Sequence, residues 1–157
     1  MAIAATILAK VAELVTATVP GTDPHLGFVR MTRVLDKERT AKSVAHRHYT
    51  LSWADGSELD IRTCDIEWTF RKTLTLRVWY QVPNAAPAGD IQSVIEDDAD
   101  QLLCTVCARA AAPRLSDSTG QLLRIIGDGG KVVTMEAGEQ VALLELGFRV
   151  EYQRRVA

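Results

Sequence analysis

The chain is short of the residues from which most reaction centres and disulfide scaffolds are built. Its 157 residues include only three cysteines and three histidines. Cys64, Cys104 and Cys107 form an odd set in a chain long enough to bury roughly 70% of its unfolded surface. That combination excludes a disulfide-stapled framework and indicates a reducing compartment. Net basic charge is also missing. Eighteen Lys and Arg against twenty Asp and Glu leave −2, which excludes the strongly basic balance of a general nucleic-acid binder. No apolar run is long enough to span a bilayer. The N-terminal MAIAATILAKVAELV has no basic start and is interrupted by Lys10 and Glu13, so it reads as neither a signal peptide nor an anchor. Repeats and low-complexity tracts are absent. What remains, 47% hydrophobic and 24% charged residues, is the composition of an ordinary soluble globule, and the expectation is a single cytoplasmic domain over 1–157.

Periodicity supplies the elements. Ile3, Ile7, Leu8, Val11, Leu14 and Val15 form a 3.6-residue stripe, a first helix over 2–17 that Pro20 and Gly21 end. Residues 22–45 have no clear period and form an irregular basic arm, with a strand expected around Gly27–Leu35. Arg47, Tyr49, Leu51 and Trp53 alternate with polar residues as a half-buried strand. Asp55-Gly56 predicts a hairpin turn into a short return strand at Glu58–Arg62. From Ile66 to Val82 one parity holds so long that a strand would run roughly 55 Å, and a bulge or break near Arg71-Lys72 is expected. A second helix over about 90–111 places Ile91, Val94, Ile95, Ala99, Leu102, Leu103 and Val106 on one face. Gln121–Ile126 and Lys131–Met135 read as a hairpin around GDGG. A closing strand follows over about 140–154, with Ala142, Leu144, Leu146, Phe148, Val150 and Tyr152 on one side. The order predicts an α+β fold: a mostly antiparallel sheet with two main helices packed on one face.

The chemical motifs dissolve on inspection. Cys104-Thr-Val-Cys107 falls late in a helix and lacks further zinc ligands, so both thiols are expected as buried small hydrophobes. His46 and His48 would need a distant third ligand to hold a metal and read as decoration of a solvent face. Gly127-Asp-Gly-Gly-Lys131 lacks the Ser or Thr and the following helix of a phosphate loop, and reads as a turn. The expectation is therefore no catalytic residue, no metal, no cofactor and no enzyme.

Charge is placed unevenly. The second helix carries Glu96, Asp97, Asp98 and Asp100, and the arm carries Arg30, Arg33, Lys37, Arg39, Lys42 and Arg47 against Asp23, Asp36 and Glu38. An acidic face repels a phosphate backbone and keeps it from sticking, whereas a basic arm and an acidic helix can pair between copies in head-to-tail contacts.

The layout resembles the tail terminator (minor tail protein U-like) family of long-tailed bacteriophages. The resemblance rests on the N-terminal ILAKVAELV helix, a sheet whose long strand ends in LTLRVWYQVP, the helix opening GDIQSVIEDDADQL and the closing EAGEQVALLELGFRVEYQRR. It implies a structural virion protein of the tail-neck region, assembled in the host cytoplasm. Such a subunit forms a homo-hexameric ring that caps the tail tube protein and meets the head-side connector or neck protein. DNA passes its lumen without sequence-specific binding, and no membrane is involved. For such a ring, Glu96, Asp97, Asp98 and Asp100 are lumen-facing candidates. Arg30, Arg33, Lys37, Arg39 and Lys42, with Asp128 and Lys131 at the GDGG tip, are candidate contacts with neighbouring subunits or the tube. A head-tail joining or neck connector subunit is the alternative, ahead of a DNA- or protein-binding adaptor or a small enzyme.

Overall fold

A computed structural model describes residues 3–21, 26–31, 46–54, 58–64, 67–81, 88–109, 115–135 and 141–155. In chain order they form α1 (Ile3–Ala17), β1 (Val29–Arg30), β2 (His48–Trp53), β3 (Glu58–Cys64), β4 (Glu67–Gln81), α2 (Ala88–Arg109), β5 (Ser116–Asp117), β6 (Gly120–Met135) and β7 (Val141–Arg155). The predicted α+β class is the observed one: a seven-stranded sheet of order β1-β2-β4-β7-β6-β5, with β3 also on β4. Among the described residues only the β1–β2 pair is parallel.

The closing strand is the spine. Its alternating side chains, Ala142 through Tyr152, are all buried, as the period-2 pattern predicts. It pairs with β4 without a slip from Glu67↔Arg155 to Gln81↔Val141. The expected break near Arg71-Lys72 is therefore absent. Fifteen residues, about 50 Å of strand, stay in unbroken register because β7 supplies a partner along the whole length.

Two hairpin expectations are corrected. β3 does not return along β2. Both pair antiparallel with β4, β2 on residues 74–79 and β3 on the end nearer Glu67, so they run in the same direction along one edge. The turn residues 55–57 themselves lie outside the described residues. Likewise, GDGG is not a hairpin tip, because Gly120–Met135 is one strand whose two halves both pair with β7. Gly127 faces Phe148 and Lys131 faces Leu146, so Asp128, Gly129 and Gly130 together oppose Gly147 alone, which makes a bulge. Gly129 sits at φ 81°, a conformation that glycine takes without penalty. The turn-rich composition was correctly located, but it bends a strand instead of ending one.

Both helices cover the same sheet face, as expected. Ile3, Ile7, Val11 and Val15 of α1, and Ile91, Ile95, Ala99, Leu102 and Val106 of α2, join Leu74, Leu76, Val78, Tyr80 and the β7 row in one hydrophobic cluster. At the end of α1, Thr18 returns its hydroxyl to the Leu14 carbonyl (2.8 Å), satisfying a terminal acceptor before Pro20. Among the described residues, no element covers the other face of the sheet.

Candidate functional site

The polar feature most deeply built into the fold lies where α2, the end of β4 and the start of β2 converge. Arg47 precedes β2 at φ 58°, in the left-handed region that a non-glycine residue occupies only under constraint. Its backbone serves two ladders: the amide donates to the Trp79 carbonyl (2.8 Å), and its carbonyl accepts from the Val29 amide (3.1 Å). The guanidinium is fully buried. Nε donates to Asp98 Oδ2 at 2.7 Å and Nη2 to Oδ1 at 3.2 Å, a two-pronged contact, while Nη1 donates to the Leu26 carbonyl at 3.0 Å. The Phe28 ring lies 5.8 Å from the guanidinium carbon, within cation–π range. Tyr80 completes the cluster by donating its hydroxyl to Asp98 Oδ2 at 2.9 Å. Burial, with the adjoining Asp98 carboxylate, pushes the Tyr80 hydroxyl far above the ordinary tyrosine range, so it stays a proton donor.

Two charges out of water are costly unless their hydrogen bonds are filled. Here three donors meet the Asp98 carboxylate. A sealed network of this kind reaches no solvent, and its chemical capacity is to hold elements in place. It fixes residues 26–28 and the start of β2 to the middle of α2. Beside it, the Tyr49 hydroxyl donates to the Ala12 carbonyl (2.9 Å) and shares a 2.7 Å hydrogen bond with Thr16, tying β2 to α1. Burial raises the Tyr49 hydroxyl as well.

These contacts correct the reading of Asp98. It is not a lumen-facing acid, since its side chain is wholly buried. Glu96, Asp97 and Asp100 are exposed on α2. Arg47, counted with the basic arm in sequence, belongs to the core. Arg30 is exposed on β1, while Arg33, Lys37, Arg39 and Lys42 lie outside the described residues. Asp128 and Lys131 are exposed at the β6 bulge. Sequence pattern does not mark Tyr80 and Arg47 as partners of the acidic helix. One signal was available, however: Asp98 continues the 91–95–102–106 apolar phase of α2, where a solvated acid does not belong.

No family model matches this chain and no curated protein matches it.

A second feature is a cavity of about 500 Å³ between the later turns of α2 and the β6 bulge, lined among others by Leu103, Cys107, Gly127, Lys131 and Leu146. The cysteines beside it are not the two buried hydrophobes expected, because Cys104 is exposed and Cys107 half-buried. Burial pushes the Cys107 thiol up, away from the thiolate that nucleophilic chemistry requires. His46 accepts the Gln81 amide at Nδ1 (3.3 Å) and sets its ring edge-on to Tyr80. Among the described residues, no group of three or more His, Cys, Asp or Glu is placed to hold a metal. No described helix is long and apolar enough to cross a membrane.

Proposed function

We propose that this chain is a structural ring subunit of a phage-type tail, a terminator that caps the tail tube and meets the head-side connector. The observation that supports it best is the uncovered sheet. One face of the seven-stranded sheet is sealed by both helices; the other carries partly buried Trp79 and Leu143 and exposed Arg77 and Arg149 with no described element over them. Such a face suits a protein whose work is contact with neighbours. The sequence resemblance supplies the kind of neighbour: copies of itself, a tube protein and a connector, around a lumen that passes DNA without reading it. Glu96, Asp97 and Asp100 are accessible to a channel or to an adjacent subunit. Asp98 is withdrawn from that set.

Light scattering across concentration and salt, followed by electron microscopy with tail tubes, tests this reading. The expected result is a mass near six copies and rings seated at tube ends. A particle that remains monomeric and leaves tube ends bare would overturn it. Binding to connector preparations but not to tubes would favour the neck-subunit alternative.

A further inference from the structure

The two-layer build gives the chain two opposed surfaces of different character. On the helix side, Glu96, Asp97 and Asp100 are exposed, and no basic side chain lies between Ile91 and Ala108 of α2. On the open sheet face, Arg71, Arg77, Arg124 and Arg149 stand with Glu145, Glu151 and Asp128. Arg77 Nε meets Glu145 at 2.9 Å and Arg71 Nε meets Glu151 at 3.2 Å. Arg124 and Arg149 are exposed and take no part in the ion pairs among the described residues. The same face carries an apolar patch. Trp79 stands opposite Leu143, and Val132, 53% exposed, pairs with the next outward residue, Glu145. Tryptophan and arginine around an apolar centre are the residues that carry binding energy in protein interfaces.

We infer that the open sheet face is an interface with a second copy of this chain, its arginines meeting the α2 carboxylates of the neighbour head to tail. The buried side of α2 packs on the sheet, so its acids point away from the open face. One chain therefore cannot satisfy both surfaces internally. The size is sufficient: three strands about 4.8 Å apart and about 50 Å long present roughly 700 Å², near the ~800 Å² per partner of a standard interface. Unlike surfaces in contact make a heterologous joint, which closes into a ring or grows as a chain. Under this assignment the acids of α2 lie between subunits and do not line a lumen. The inference rests on the proposed ring only for closure.

A charge-swap mixing experiment tests it. Glu96→Lys with Asp100→Lys makes the helix side basic, and Arg77→Glu with Arg149→Glu makes the sheet side acidic. Each variant alone is expected to associate about tenfold or more weakly than wild type. An equimolar mixture is expected to recover an assembly in which the two variants alternate. Circular dichroism of each variant confirms that it is folded, and Arg149→Glu alone serves if the double sheet variant is not. An oligomer whose mass ignores both swaps would overturn the inference and leave the ring reading standing. Open chains that grow with concentration and obey the swaps would support the interface and refute the ring. Wild-type protein that stays monomeric at high concentration and low salt would overturn the inference, and bare tube ends in the same preparation would overturn the ring reading as well.

Discussion

Four acids within five positions of α2 look alike in sequence, yet they have unequal tasks. Asp98 holds the buried Arg47 fork and the Tyr80 hydroxyl, whereas Glu96 is exposed to solvent. Removing one partner of a buried ion pair strands the other charge, at about 3–5 kcal/mol. Asp98→Ala is accordingly expected to lower the thermal midpoint on the order of 10 °C, while Glu96→Ala stays within about 0.5 kcal/mol of wild type. Equal effects of the two changes in thermal denaturation would refute the division of roles. This distinction was half legible beforehand. Helical phase places residue 98 on the apolar side, but the partner that makes an acid tolerable there is 51 positions away. A charged residue's burial depends on such a remote companion, which periodicity does not report. Arg47 does share the buried parity of Tyr49 and Leu51, but parity places it inside without naming Asp98 as the companion that makes it tolerable there.

At the scale of elements, strand parity was the most readable signal and turn chemistry the least. The inward row of β7 followed from alternation alone, since one covered face imposes a period of two. GDGG was located correctly as a place of unusual backbone, but glycine permits a bulge as readily as a hairpin, and pairing with β7 on both sides decides between them. Gly147 stands opposite that bulge. A Cβ there would meet the Asp128 carboxylate, with Asp128 Cγ only 2.6 Å away. Asp128 is exposed and the colliding atoms are the far end of its side chain, so Gly147→Ala is expected to cost only about 0.5–1 kcal/mol as that side chain turns aside. The Asp128→Ala change removes the colliding carboxylate, so the double variant should recover much of the loss. Urea unfolding of the four proteins completes a double-mutant cycle. Strict additivity in that cycle would show that the two residues do not press on each other.

Across the whole molecule, the helix layer and the sheet are joined by phenol hydroxyls as well as by apolar contact, and this ties global stability to alkaline pH. Tyr80 reaches from β4 to α2 through Asp98, and Tyr49 reaches from β2 to α1 through Ala12 and Thr16. Burial raises both hydroxyls above the ordinary tyrosine value, so the folded state keeps two protons that the unfolded chain releases at about pH 10. The sign follows from linkage. Wherever the unfolded state binds fewer protons, stability falls as pH rises. Their contribution is complete below the unfolded pKa and is lost progressively above it, until each folded pKa is passed. The expected slope is about −1.4 kcal/mol per pH unit for each tyrosine still protonated when folded. Tyr80→Phe costs about 1 kcal/mol at neutral pH, from the lost hydrogen bond, but it should unfold with a shallower alkaline decline, one proton fewer. Urea titrations from pH 8.5 to 11.5 measure both quantities. Parallel declines in wild type and Tyr80→Phe would mean that the hydroxyl already ionises in the folded protein, and that the junction between α2 and the sheet is open to water.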